Sequence, residues 1–372
     1  MTDRQRRPEK KERIDLMTGA MYAAISGLKS HMSKLNVIGN NVANVNTYGY
    51  KAGRVTFRET VYTTLTAGSD GTALKGGINP SQLGYGCNIG TIDLDMSTAN
   101  AVPTGVNLDC MIQGDSFFLV GDKGGVKTEN LTSLQLSKVG NFKFDAEGYL
   151  CDGQGNIVYG FVPQSGNTTA GPIDMNNPQY SSQLVPIRLP MKAKGDPADP
   201  NAQPTAGTPI YPGVDGGVNV APGADTVDGT ISVNTDSIKI DAGGKIVGTT
   251  VDGDTVVIGN LALGKVDNSA GLTHVSGPYY QALEGAGKLH ITCPNNIGTG
   301  YLNNVPADQV TDDSVEISKT IDTLLSGFLE GSSTDLATEF SDMITTQRGY
   351  QANTRIITVT DSMLEELVNI KR

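Results

Sequence analysis

Two segments, one near each end of the chain, carry apolar residues at heptad spacing, and this constrains the fold more than any other feature. In the first, Met21, Ile25, Leu28, Met32 and Leu35 alternate by four and three, and Val42 falls on the same stripe beyond Gly39. In the second, Leu336, Met343, Tyr350, Ile357 and Leu364 recur every seven residues, with Phe340, Gln347, Thr354, Asp361 and Val368 as companions four further on. Such spacing makes a narrow seam rather than the broad apolar face of a globular-protein helix. Neither segment is built to be stable alone. Gly39 interrupts the first seam. The second is polar in its middle, and Gly349 there costs about 1 kcal/mol relative to alanine. Ser332, with Asp335 three residues on, reads as the helix cap. Two seams at opposite ends can pack on each other, leaving everything between them as an insertion.

The stretch NVIGNNVANVNTYGYK (36–51) adds a question, because it places asparagine at 36, 40, 41, 44 and 46 in an otherwise apolar helix. Asparagine is a poor helix former, since its amide competes for backbone hydrogen bonds. Asn36, Asn40 and Asn44 are four apart and would stack along one face. Either this is a frayed helix end running into an Asn-rich turn, or Asn36, Asn40, Asn41 and Asn44 belong to a self-association face on which amides pair between subunits. Buried polar groups at such seams can fix register at a cost in stability.

Between the two helices the pattern is strand and turn. LDCMIQGDSFFLVGDKGG (108–125) reads as strand, turn, strand. NFKFDAEGYLCDGQGNIVYGF (141–161) alternates apolar and polar residues around Asp145, Gly148, Asp152, Gly153 and Gly155, and 229–264 repeats the style with short β-branched runs. Residues 164–228 are dominated by Pro, Gly, Ala, Asp and Asn. The expected fold is therefore α+β and multi-domain, with N- and C-terminal helices forming a coiled-coil-like inner domain and a β-rich outer domain inserted between them. The expected division is an extension over 1–16, a helix domain over 17–65, a connector over 66–100, half a β-domain over 101–163, a reduced outer domain or flexible insertion over 164–228, the other half over 229–300, a connector over 301–330 and the C-terminal helix domain over 331–372.

Charge and composition narrow the function. The net charge is −11 and the pI about 4.8, the opposite of the basic surface that nucleic acid requires. No run approaches the roughly 20 apolar residues of a membrane span. The first 16 residues hold six Lys/Arg and four Asp/Glu, leaving 22 of the 28 basic and 35 of the 39 acidic residues for the remainder. That basic, wholly charged start lacks the apolar core of a secretory signal. It is expected to be a non-native or disordered extension, with Met17 as the natural start.

No catalytic constellation stands out. Cys87, Cys110, Cys151 and Cys293 form no CxxC pair and are expected to be free, mostly buried thiols. His31 reads as a helix-surface residue. His290 and Cys293 share an HxxC spacing with His274 upstream, without the second Cys pair that a zinc site would add. DGQGN (152–156) and VDGDT (251–255) look superficially like calcium loops but lack the ligand ladder and closing Glu, so hairpin turns explain them better. With no nucleophile–base spacing either, the chain reads as a non-enzyme that needs no cofactor and no metal.

At this point the residues resemble a known family. N36-V-I-G-N-N-V-A-N-V-N-T-Y-G-Y-K51 is similar to the N-terminal signature of bacterial flagellar axial proteins, the rod and hook subunits, and LEGSSTDLATEFSDMITTQRGYQANTRIITVTDSMLEELVNIKR is similar to their C-terminal signature. GGINPSQLGYGCNIGTIDLDM (76–96) resembles the family's connecting segment, and the likeness covers most of 17–372 outside 164–228. Among these relatives the hook protein fits best. A distal rod protein is the alternative within the family, and a secreted β-rich adhesin or surface-layer protein the alternative outside it.

The resemblance implies a structural subunit, exported unfolded through the flagellar type III apparatus without a cleaved signal, that polymerises with itself into a helical tube outside the cell. Implied partners are the rod, the hook cap and the hook–filament junction proteins. The terminal helices would form the inner layer and transmit torque, while the β-domains outside slide past one another as the tube bends.

Overall fold

The computed structural model describes residues 6–71, 76–123, 134–163, 180, 184–193, 209–210, 227–293, 315–319 and 322–369. The chain divides into two compact units. The first comprises Met1–Val45, Lys51–Asp95 and Thr334–Arg372, the second Asn46–Tyr50 and Met96–Ser333.

The first unit is built on two long helices, α1 (Arg6–Ala43) and α2 (Leu336–Asn369). Helix α1 continues through Gly39 without a break, and its backbone begins at Arg6, inside the 1–16 segment read above as an extension. Helix α2 starts at Leu336, so its cap is Asp335 rather than Ser332. The Asp335 Oδ1 accepts the Ala337 N–H at 3.1 Å, Oδ2 accepts the Thr338 hydroxyl at 2.7 Å, and its carbonyl takes the Glu339 N–H at 2.9 Å. This satisfies backbone donors that would otherwise have no partner in the first helical turn.

Among the described residues, four strands complete this unit. They are β1 (Gly53–Glu59), β2 (Tyr62–Thr66), β3 (Ser81–Gly84) and β4 (Cys87–Leu94). β1 pairs antiparallel with β4, with a register shift between Val55 and Phe57, and β2 pairs antiparallel with β3. β1 and β4 pack on α1. The approach depends on Gly86, which has φ +104. A Cβ there would fall 2.0 Å from the Ser26 Oγ and 3.0 Å from the Ala23 Cα. The two hydroxyls then hold the start of β4. Ser26 Oγ accepts the Cys87 N–H at 3.3 Å, and Ser30 Oγ donates to the Cys87 carbonyl at 3.3 Å. No helix among the described residues is long and apolar enough to cross a membrane.

The second unit is β-rich. Among the described residues its largest sheet has 14 strands, eight of them along the path 239–240, 245–249, 255–261, 157–161, 117–121, 263–266, 289–293 and 315–319 and the rest branching from it. The last of these pairings is parallel and the others on the path antiparallel. The strand–turn–strand expectations fall here, at Cys110–Gln113 with Phe117–Gly121, and at Leu150–Cys151 with Ile157–Phe161.

Both sequences that resembled calcium loops are turns closing hairpins. Asp152 Oδ1 accepts the Gln154 and Asn156 N–H groups between paired Cys151 and Ile157. The Thr250 carbonyl accepts the Gly253 N–H beyond paired Thr249 and Thr255. A continuous core fills the unit, including Ile112, Phe118, Val120, Leu150, Val158, Ile246, Ile258 and Leu263, with Phe118 edge-on to Phe142 at 5.0 Å. Each such side chain contributes roughly 1.5–3 kcal/mol on burial.

Most of 164–228 lies outside the described residues. Within it Met191–Ala193 pairs with Pro209–Ile210 and with Val227–Thr230 in a three-stranded sheet. Cys87, Cys110 and Cys151 are free, Cys87 half-buried and the other two buried. Of the zinc-like residues, His290 Nε2 hydrogen-bonds Asp267 Oδ1 at 2.8 Å, and the His274 ring stands edge-on to Tyr280 at 5.3 Å.

Candidate assembly surface

Helices α1 and α2 lie antiparallel, and the residues that meet are small or polar. Gly27 faces Asn353, Gly349 faces His31, Lys34 pairs with Asp342, and Asn41 bonds Glu339. The two glycines answer each other. A Cβ on Gly27 would stand 2.7 Å from the Asn353 amide nitrogen, and one on Gly349 2.7 Å from the His31 Cε1. Gly349, a liability for an isolated helix, is therefore the seat for a ring from the opposite helix. His31 is half-buried at the centre of the pairing and not a surface residue.

Asn41 is the asparagine that organises this unit, being 1% exposed. Its Nδ2 donates to the Gly53 carbonyl at 2.9 Å and to Glu339 Oε1 at 2.8 Å, while its Oδ1 accepts the Gly53 N–H at 2.9 Å. One side chain thus ties α1 to the start of β1 and to α2. Asn36 and Asn40 lie on the exposed face of α1 together with Met32. Asn44 reaches back to Asn40, donating to its carbonyl at 2.9 Å and to its Oδ1 at 3.1 Å.

The expected seams run beside this contact. On α1, Met21, Ile25, Leu28, Leu35 and Val42 are half-buried, while the buried positions include Ala24, Gly27, Ser30, Ile38 and Asn41. On α2, Met343, Tyr350, Ile357 and Leu364 are half-buried next to buried Thr346 and Thr360. Leu336 and the companion positions Phe340, Gln347 and Val368 are exposed, Phe340 at 50% and Val368 at 69%. The reading missed His31, Lys34, Asn353, Thr346 and Thr360. The available signal was the pair of glycines, Gly27 and Gly349, at matching places in helices of opposite direction.

Apart from Val368 near its end, the large apolar residues of α2 that stay exposed fall into two groups. Leu336, Phe340 and Ile344 occupy its first turns, and Ile356, Val359, Met363 and Leu367 its last. At 3.6 residues per turn the two groups point roughly 140° apart around the helix, on either side of the flank that meets α1. Ile344 is 58% exposed and Met363 51%.

The backbone just after α1 is fixed within the second unit. Gly49, with φ +68, donates its N–H to the Glu330 carbonyl at 2.8 Å, and the Tyr50 carbonyl accepts the Ser333 N–H at 3.1 Å. A Cβ on Gly49 would lie 2.5 Å from Val139 Cγ2, so both the space and the backbone conformation call for glycine. The end of the N-terminal signature and the approach to the C-terminal one are thereby hydrogen-bonded side by side.

Comparison with known proteins gives these ends a family. Residues 21–51 match the flagella basal body rod protein family, and residues 325–370 match the C-terminal family of the flagellar basal body rod FlgEFG proteins. The flagellar basal-body rod protein FlgG of Bacillus subtilis is 33% identical over 357 residues, 96% of this chain and 100% of that protein. The flagellar hook protein FlgE of Treponema pallidum is 27% identical across 96% of this chain and 100% of its own length. That of Borreliella burgdorferi is 25% identical across 95% and 100%. The terminal signatures and the length of the matched chain agree: this protein belongs to the family of flagellar rod and hook structural proteins.

Proposed function

We propose that the chain is a subunit of the flagellar hook that polymerises with copies of itself into a helical tube, with the helix pair as its inner layer. The observation that carries this is the placement of apolar residues on α2. The contact with α1 is small and polar, whereas Leu336, Phe340 and Ile344 on one flank and Ile356, Val359 and Met363 on the other are exposed. In a tube those flanks would lie against two different neighbouring subunits, and the coiled-coil-like seams would be completed between chains. Each large side chain so buried contributes roughly 1.5–3 kcal/mol, which gives a marginal helix its stability by assembly. The same marginality suits a chain that must be threaded unfolded through an export channel. Head-to-tail contacts that do not close into a ring give an open tube. The rod, hook cap, junction proteins and export apparatus belong to this reading as partners, and the flagellum outside the cell as its place.

The test is polymerisation of the full chain carrying Ile344→Asp or Met363→Asp, followed by sedimentation and electron microscopy. Both variants are expected to remain folded monomers that form no tubes. Normal tubes from either would remove that flank from the assembly. A rod reading is favoured by one observation. The FlgG relative aligns over 357 residues, close to this chain's 372, while the hook relatives need 496 and 467. Immunogold microscopy on the native cells separates the two. Gold on a curved segment between cell and filament supports the hook, and gold at the base of detergent-isolated flagella moves the assignment to the rod. Gold scattered over the cell body would sink both in favour of an adhesin.

A further inference from the structure

His31 is a titratable ring inserted between three elements, with one of its two nitrogens sealed from any partner. Its Cε1–Nε2 edge lies against the backbone of α2 at Gly349, where even a Cβ would come within 2.7–2.8 Å. The Phe57 ring of β1 stands edge-on to it at 5.7 Å. Its Nδ1 is buried and has no hydrogen-bond partner.

The charged groups around it offer no relief. Lys34, one turn on along α1, is a like charge, and Asp342 of α2 is already held by Lys34 at 2.8 Å. Arg348 beside Gly349 is exposed, as are Arg58 and Glu59 beside Phe57. On β4, Asp93 is taken by Arg54. With both nitrogens protonated the ring would carry an unpartnered donor at the buried Nδ1 and a charge that is partly desolvated and lies near Lys34.

We infer that His31 is a proton-sensitive latch of the helix pair: the neutral ring lets α1 and α2 close on each other, and the imidazolium drives them apart. Burial, and secondarily Lys34, hold the His31 pKa below its ordinary 6.5. With the folded-state pKa depressed, the unfolded chain takes up the proton first. The pairing is therefore at full strength above pH 6.5, weakens as pH falls from there to the folded-state pKa, and is level below it. This latch belongs to the chain itself and does not depend on which axial structure it builds.

The experiment is an NMR titration of the full chain with labelled imidazole. Three histidines are present, and the His31 signal is identified as the one absent from His31→Gln. A midpoint clearly below 6.5 is expected, while a midpoint at or above 6.5 overturns the latch. A second measurement reads its consequence. Circular dichroism at 222 nm comes mainly from α1 and α2, and its loss in urea is compared between pH 7.5 and pH 5. Each unit of measured depression should appear as a tenfold loss in the wild-type folding equilibrium that His31→Phe does not show. Identical pH dependence in wild type and His31→Phe would overturn the proposal, whatever the titration gives.

Discussion

The two units of this chain use apolar residues in opposite ways. In the β-rich unit the large side chains point at each other, and Phe118, Ile112, Leu150, Ile258 and Leu263 are wholly enclosed. In the helical unit glycine, asparagine, histidine and the Lys34–Asp342 ion pair meet between α1 and α2, while Phe340, Ile344, Val359 and Met363 face out. Close approach through small residues brings two backbones together without large apolar burial. The first arrangement closes a fold within one chain. The second leaves it unfinished and reserves its apolar area for something else. A protein that must be stable as a part and also cohere as an assembly can divide those tasks between regions of its chain.

The comparison breaks most easily in the β-rich unit. Phe118 has no exposed surface and lies edge-on to Phe142. Phe118→Ala should cost about 3–5 kcal/mol, read as a lower denaturant midpoint for the loss of β-structure. The helical signal at 222 nm should respond less. A midpoint that stays put would mean that this core does not carry the unit.

Asn41 supplies the next largest effect and sharpens the contrast within one helix. Asn41→Ala removes three hydrogen bonds and leaves the Gly53 N–H and carbonyl without the amide that meets both. A loss of about 1–3 kcal/mol in the helical unit is expected. Asn36 is exposed, and Asn36→Ala should change the isolated chain by less than about 0.5 kcal/mol. Equal effects from the two, measured by urea unfolding, would dissolve the distinction between an internal tie and a surface amide.

How far these features could be read beforehand follows from how local each one is. The strand–turn–strand over 108–125 and the hairpin within 141–161 were legible because turn formers and alternation act over a few residues, although the two strands of the first pair with other partners and not with each other. The long terminal helices were legible from their period. Which face of α1 meets α2 was not, because the heptad reading followed Leu28, Leu35 and Leu364, whereas the contact follows Gly27, His31, Lys34 and Asn353. Apolar periodicity identifies a face that will be buried somewhere, and in a chain that assembles this need not be the face buried against itself. The β1–β4 ribbon was missed for a similar reason. Its strands are largely exposed and polar, and they dock through hydroxyls of Ser26 and Ser30 that no pattern marks.

The smallest effect belongs to the start of α2, and it separates two pH responses. Asp335 caps the helix through the Ala337 N–H and the Thr338 hydroxyl, and these hydrogen bonds, Thr338 first, hold its carboxyl below the ordinary range. With the folded-state pKa depressed, the cap's charge-dependent contribution is complete above the unfolded value of about 3.9. It is lost as pH falls further through the folded value. Asp335→Asn keeps an acceptor at the cap but removes the titration. Protection from hydrogen exchange over 336–342 should therefore show no acid-induced loss in this variant, whereas wild type loses protection there below about pH 4. The His31 response lies entirely at and under pH 6.5, so a wild-type chain scanned downward should loosen first at the middle of the helix pair and only later at the cap. A single transition shared by both positions would mean that the start and the middle of α2 act as one cooperative element, and that the helical unit is less divided than its contacts suggest.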